Sequence, residues 1–278
     1  MLRLLFILSA CSLTTCYKSE PMGKMTLEGD MIMGFYERIA PYYDDIFPAG
    51  EEQLEFIRQS AGKPPKRLLD IACGSGTYSV RLAQDGYEVW ACDIDHKMVE
   101  LAERKAVGSN TPVNVFLSDM LHLDQNIGIK YDVVFCIGNS IVHLGSIDLV
   151  RKAVKQMKDL LNPDGSLILQ IINFDRVLEK EITSLPTITN PGRKLEFKRN
   201  YSLDKSAGLV HFDTILTVEE NDRITKLDNR VDLFPLKAQN LREVLDDVGF
   251  HTISFYGGFG GEPYVRGESF LLAALAKA

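Results

Sequence analysis

Two acids and a glycine-rich turn stand at a spacing that can hold a nucleoside. Leu68-Leu69-Asp70-Ile71-Ala72-Cys73-Gly74-Ser75-Gly76-Thr77 reads as a buried apolar strand ending in an acid, then a tight turn, then a helix from Tyr78 to Gln84. Gly74 and Gly76 let the backbone approach a ligand at a distance that a side chain would block. The helix that follows offers unpaired N–H groups and a positive dipole end, which suit an anionic group. Asp93 ends the next apolar run, Val89-Trp90-Ala91-Cys92. In a doubly wound α/β fold that position faces a ribose diol, whose hydroxyls a carboxylate accepts in charge-assisted bonds. Asp93 could instead cap the helix beginning near Lys97, although Asp95 fits that task better.

Such a turn needs a sheet to carry it. From Arg67 onward, apolar runs alternate with amphipathic stretches. Strands are expected at Arg67–Ala72, Val89–Ile94, Val113–Leu117, Tyr131–Ile137 and Ser166–Ile172. Helices are expected at Lys97–Val107 and Ile147–Leu161, and Asn162-Pro163-Asp164-Gly165 has turn chemistry. Strands separated by helices imply right-handed crossovers and a parallel sheet. The near-continuous apolar character of the fourth and fifth strands fits burial on both faces. After Asp175 the period changes. Lys194–Tyr201, Leu209–Val218 and Ile224–Phe234 alternate as half-buried strands do and read as an antiparallel insertion over the ligand edge of the sheet. A helix over Ala238–Val248 stops at Gly249, and His251–Phe259 with Ser269–Leu275 forms a closing antiparallel hairpin. The expected fold is therefore α/β: a doubly wound, mostly parallel seven-stranded sheet with an antiparallel lid. The main domain covers 23–175 and 236–278, and the lid 176–235. Glu51–Ser60 and the Phe35–Phe47 segment are expected to pack at the N-terminal side, the latter over the ligand.

Composition narrows the partners. The chain has 278 residues, with 45% hydrophobic and 25% charged, in the ordinary range for a globular protein. A net charge of −7 disfavours nucleic acid as a partner. Five cysteines include no Cys-x-x-Cys pair and no Cys/His cluster at zinc spacing, so no metal site is expected. Cys73, Cys92 and Cys136 read as small core hydrophobes in a reducing compartment, with a reactive Cys73 as the alternative. Leu8-Ser9-Ala10-Cys11 is like a lipoprotein cleavage box, but the apolar run before it is far short of the ~20 residues of a membrane span. Residues 1–22 are read as an extension or signal-like segment, and the main domain as cytoplasmic and free of the membrane. The sequence leaves the oligomeric state open.

The motifs together resemble the class I S-adenosylmethionine-dependent methyltransferases. Asp70-x-x-Cys73-Gly74-Ser75-Gly76-Thr77 matches that family's first motif, Asp93 its second-strand acid, and Ser118-Asp119-Met120 its adenine-side loop. Within the family the chain is similar to the glycine N-methyltransferase group, through Gly138-Asn139-Ser140-x-x-His143-Leu144, Asn173-Phe174-Asp175, Tyr256-Gly257-x-Phe259 and Tyr264. One departure matters. The glycine enzymes carry an arginine directly before the Asn-aromatic-Asp triplet, where it grips the substrate carboxylate; here Ile172 stands there.

The resemblance implies S-adenosyl-L-methionine as cofactor. It implies Asp70 and Gly138 among the cofactor-binding residues and Gly74 and Gly76 along the methionine part, with Tyr43 or Tyr42 touching its carboxylate from an N-terminal lid, or else serving as core aromatics. Ile94 and Met120 would sandwich adenine, or simply belong to the core. Asp119 would accept from the adenine amino group, or be a solvated acid. Asn139 and His143 are the catalytic candidates: Asn139 to aim the acceptor's lone pair, His143 to orient the acceptor or take a proton, unless it merely bonds backbone. Arg199 and His211 could touch substrate from the insertion, or be solvated strand residues. The implied activity is methylation of a small molecule, on an amine nitrogen. The alternatives are O-methylation of a small metabolite and a catalytically silent cofactor-binding protein. A nicotinamide-dependent oxidoreductase is disfavoured by Ser79, which stands where a third glycine or alanine would be needed.

Overall fold

The computed structural model describes Tyr36, residues 38–123 and residues 128–278. The segment read as an extension lies outside the described residues. Seven strands form the central sheet: β1 (Arg67–Ile71), β2 (Glu88–Asp93), β3 (Val113–Leu117), β4 (Tyr131–Cys136), β5 (Leu161–Ile172), β10 (His251–Tyr256) and β11 (Leu271–Lys277). Their order is β10-β11-β5-β4-β1-β2-β3, and β11 runs antiparallel to both neighbours. The four remaining strands, β6 (Ser184–Asn190), β7 (Leu195–Asp204), β8 (Leu209–Glu220) and β9 (Arg223–Leu233), form a separate antiparallel sheet.

Alternation along β1 explains why helices cover both faces. Leu68 points into a cluster with Leu54, Ile57 and Leu82 from the helices Glu51–Ala61 and Thr77–Gln84. Leu69 points into the other cluster, with Val150, Val154 and Met157 of the helix Ile147–Asp159 and Leu241, Val244 and Leu245 of Ala238–Val248. Each such side chain, fully buried, stabilises the fold by roughly 1.5–3 kcal/mol. The chain order turns about at β1 and β4, with β2 and β3 growing to one side and β5 to the other. That reversal opens a crevice at the carboxyl ends of β1 and β4.

Three details differ from the sequence reading. Asn162–Gly165 does not precede β5 but bulges from it: Tyr131 pairs with Leu161 and Val133 with Ser166, and Asp164 takes φ +64°. The insertion has four strands where three were expected. The extra one, β6, carries Pro186, which removes a ladder donor and is tolerated because β6 lies at the sheet edge. A helix at Phe174–Glu179 precedes the insertion.

Candidate active site

The glycine turn is held by its neighbours before any ligand arrives. Cys73 N–H donates to Cys92 O at 3.0 Å, tying the turn to the end of β2. Asp70, only 2% exposed, accepts from Ser79 Oγ at 2.6 Å, so the acid at the end of β1 anchors the following helix. Burial pushes its carboxyl up to about 7, with the Ser79 bond working in the other direction. Gly74 and Gly76 have φ of +55° and +73°, both in the left-handed region. A methyl group on Gly74 would lie 2.8 Å from Tyr43 Cζ, and one on Gly76 would lie 2.7 Å from Ala102 Cβ. The turn is thus pinched between the N-terminal segment and the helix His96–Gly108.

Asp93 sits where the second acid was expected. Its Oδ2 accepts from Gly74 N–H at 2.8 Å and its Oδ1 from Asp95 N–H at 3.0 Å. Each oxygen keeps lone-pair capacity for one hydroxyl of a diol. Burial pushes the Asp93 carboxyl up to about 6, against the pull of the bonds from Asp95 and Gly74. Asp95, not Asp93, caps the next helix, accepting from Lys97 and Met98 N–H. Ile94 directly follows and is 48% exposed, an apolar surface beside Asp93. Asp119 accepts from Leu121 N–H at 2.8 Å and faces His122 Nδ1 at 3.1 Å, leaving acceptor capacity at the end of β3. Met120 is partly buried against the larger core cluster.

The segment over the turn is fastened by a polar clasp. Residues 40–42 form a 3-10 turn, and Tyr43–Ile46 continues as one helical turn. Asp44 pairs with Lys105 Nζ at 2.7 Å and accepts from Thr77 Oγ1 at 3.0 Å and from the Ser75 hydroxyl. Burial alone would raise the Asp44 carboxyl, but Lys105, Ser75 and Thr77 outweigh it and hold the group below its ordinary value. The same segment reaches the insertion. Ile39 and Ile46 pack with Leu195, Phe197, Leu216 and Val218, and Asp45 pairs with Arg193 at 3.1 Å. The antiparallel sheet and the N-terminal segment are therefore one cover.

On the acceptor side, Gly138 has φ +88° and donates to Gln170 Oε1 at 2.7 Å. Asn139, at φ +69°, accepts with Oδ1 from Ile172 N–H at 2.9 Å, so its side-chain carbonyl already bridges the ends of β4 and β5. His143 lies in a 3-10 turn, Ser140–Leu144, and its Nδ1 is buried with no hydrogen-bond partner among the described residues. The backbone-bonded alternative for this nitrogen therefore does not hold. Burial drags the His143 imidazole down to about 4, which leaves it neutral near pH 7. The marker residues Asn173, Asp175 and Tyr264 form a hydrogen-bonded knot. Tyr264 Oη bonds Asn173 Oδ1 at 2.8 Å and Asp175 Oδ2 at 3.2 Å, and Asp175 also accepts from Ala238 N–H. His211 points away from the cover's inner face, with Nδ1 2.5 Å from Asp232. Cys73, Cys92 and Cys136 are buried, and burial pushes each thiol up, so the reactive reading of Cys73 fails.

Sequence reasoning passed over Asp44, Lys105 and Gln170. Lys105 follows Ala102 by three residues, so both face the glycine turn from one helix side. Gln170 was visible as one amide inside the apolar run Leu167–Ile172.

A glycine turn in the left-handed region, a buried acid at the end of β2 and a crevice at the strand-order reversal are features of a nucleoside-binding α/β protein. Residues that a Cβ would crowd out at Gly74, and the spare acceptor capacity of Asp93, fit an adenosyl amino acid. Residues 68–165 match the family of methyltransferase domains. A glycine/sarcosine N-methyltransferase of Aphanothece halophytica is 29% identical over 232 residues, 84% of each chain. That of Halorhodospira halochloris is 29% identical over 230 residues, 83% of this chain and 82% of its own. In fold, the chain is similar to an S-adenosylmethionine-dependent methyltransferase from Clostridium acetobutylicum, with a TM-score of 0.74 at 17% identity, over 87% of this chain and 98% of that one. The chain is a class I S-adenosylmethionine-dependent methyltransferase, similar to the glycine N-methyltransferase group. No helix among the described residues is long and apolar enough to cross a membrane.

Proposed function

We propose that this enzyme methylates the nitrogen of a small-molecule amine. The observation that carries the reading is the acceptor side: Asn139 and His143 offer neutral hydrogen-bonding atoms, and His143 is held neutral by burial. Such a site can aim an amine that already has a lone pair. It is poorly equipped to strip a hydroxyl of its proton. The names of the two halophile relatives, both N-methyltransferases, support the same direction.

S-adenosylmethionine, when bound, supplies a sulfonium methyl that needs no further activation. Asp93 would accept the ribose hydroxyls, Asp119 the adenine amino group, and Ile94 with Met120 would flank the ring. The turn at Gly74 and Gly76, with Tyr43 above it, would receive the methionine end, and Gly138 would border it. Asn139 and the neutral His143 would hold the amine with its lone pair turned towards the sulfonium methyl, and the proton lost from nitrogen would leave to solvent. Orientation of this kind can lower the barrier by roughly 7–11 kcal/mol. The clasp at Asp44 and Lys105 closes the cover and excludes water. The donor is an intracellular metabolite, which supports a cytoplasmic setting.

The test is transfer of a labelled methyl group to a panel of small amines, amino acids and hydroxylated acceptors. N-methylated product is expected. Product formed on hydroxyl oxygen alone would overturn the reading.

A further inference from the structure

We propose that Gln170 is a positioning residue for methyl transfer: its side-chain carbonyl sets the left-handed elbow at Gly138 and Asn139 and, through it, the direction in which Asn139 meets the acceptor. The proposal rests on the amine-methylation reading above, in which Asn139 aims the nitrogen, and adds the residue that aims Asn139. It begins with a polar group in a costly place. Gln170 stands in the run Leu167-Ile168-Leu169-Gln170-Ile171-Ile172 of β5 and is only 9% exposed, among neighbours that are all apolar and buried. A buried amide costs free energy unless its hydrogen bonds are made. On β11 its cross-strand neighbour is Ala273, small enough to leave the amide room. The side chain serves the other neighbouring strand. At the end of β4, its Oε1 accepts from Gly138 N–H at 2.7 Å.

That bond is made where the sheet runs out. The ladder between β4 and β5 ends at Cys136 and Leu169. Just beyond, Gly138 and Asn139 take φ of +88° and +69° in succession, and the chain turns out of the sheet. Asparagine tolerates this region better than most residues, but a strained conformation persists only where its surroundings hold it. Gln170 holds it twice. Its side chain takes the Gly138 N–H, and its backbone carbonyl takes the Asn139 N–H at 3.2 Å. Asn139 Oδ1 then accepts from Ile172 N–H at 2.9 Å, which closes the brace. Of these bonds, only the one to Oε1 depends on which side chain β5 carries at position 170. Gly138 itself is exposed, and a Cβ on it would meet no atom within 4 Å, so the elbow borders open space at the carboxyl end of β4. That end is where the crevice lies. An apolar residue at position 170 would strip the Gly138 N–H of its partner. The peptide would then be free to rotate and carry the Asn139 side chain out of line.

The experiment compares the natural full chain with Gln170→Met, which keeps length and volume but has no acceptor oxygen, and Gln170→Glu, which keeps one. Methylamine, glycine and sarcosine serve as acceptors, with S-adenosylmethionine saturating. Gln170→Met should lower kcat by roughly tenfold to a hundredfold, as a small misplacement does, and change KM less. Gln170→Glu should recover most of the loss. S-adenosylhomocysteine affinity, by calorimetry, should stay within about threefold in both variants, since Asp93 and the glycine turn are untouched. In an Asn139→Ala background, Gln170→Met should cost nothing further, whereas a merely structural role would add its cost again. Amide exchange by NMR reads the brace without any variant: Gly138 N–H, on an exposed residue, should be protected in the natural chain. Rapid exchange there overturns the proposal whatever the variants do. So does a kcat for Gln170→Met within about threefold of the natural value, an additive loss in the double variant, or no recovery with Gln170→Glu. Each of these leaves amine methylation standing. Failure of the natural chain to methylate any of the three amines overturns both.

Discussion

Replacing Asp93 with alanine isolates the contribution of one buried carboxylate to cofactor binding. Each Asp93 oxygen is engaged by one backbone N–H, from Gly74 at 2.8 Å and Asp95 at 3.0 Å. One lone-pair direction per oxygen remains for the ribose. Hydrogen bonds to a charged group contribute about 1.5–3 kcal/mol each. Water entering the space left by alanine returns part of that, so a net loss of about 2–4 kcal/mol is expected. That corresponds to roughly 30- to 1000-fold weaker binding. The effect on folding should be smaller, because two N–H groups lose their acceptor while a costly buried charge is removed. Calorimetry at pH 7.5 reads the affinity, and thermal unfolding checks the fold. The pH dependence gives a second reading. The carboxyl titrates at about 6 in the free protein, and its ionised form is the one that accepts two hydroxyls. Affinity should therefore be flat above pH 7 and fall as pH drops through about 6, approaching tenfold per unit. The alanine variant should lose this slope. A folded variant that binds S-adenosylmethionine within threefold of the natural chain would refute the ribose assignment.

Asp70→Asn tests whether the acid of β1 anchors the helix as a hydrogen-bond acceptor, with its charge a burden. Its folded value of about 7 lies above the ordinary carboxylate value, so the cost of ionisation is present above pH 7 and is relieved as pH falls from 7 towards 4. Thermal unfolding at pH 8 should find the asparagine chain at least as stable as the natural one, with a flatter stability profile between pH 8 and 5.5. Lys105→Met should loosen the cover: hydrogen exchange over residues 38–47 should rise and cofactor affinity fall several-fold. Global stability should change by no more than about 1 kcal/mol, as for other exposed pairs. Gly74→Ala combines a left-handed φ with a collision against Tyr43, and should cost about 1–2 kcal/mol of stability together with most cofactor binding, by denaturation and calorimetry. His143→Gln should remove no limb from the kcat profile between pH 6 and 8, since the imidazole titrates near 4; loss of such a limb would show that it works as a base.

The crevice was legible in the sequence because its parts are local. Asp70, Gly74 and Gly76 lie within seven residues, and a strand, a strained turn and a helix follow from their order alone. Asp93 was legible because it ends an apolar run, and Asp95 because capping depends on the next three residues. The mostly parallel seven-stranded sheet also followed from alternating strand and helix patterns, while its strand order came from the structure. Edge features were harder. Pro186 makes β6 unlike an ordinary strand, and only the edge position makes it tolerable. The turn chemistry of Asn162–Gly165 marked a bulge inside β5, since neighbouring register absorbed it.

What the sequence by itself determined was the class of ligand, through residues near one another along the chain. The tertiary structure decided everything that depends on surfaces meeting from afar. Asp44 and Lys105, 61 positions apart, become a clasp. His143 changes from a proton acceptor to a neutral donor or acceptor, because its desolvation comes from packing and not from its neighbours in sequence. Arg199, which looks like a solvated strand residue, becomes half-buried beside Thr214 once β7 folds against the end of β5. Short-range order is written in periodicity and turn chemistry, whereas burial and pairing arise only when distant segments close on each other.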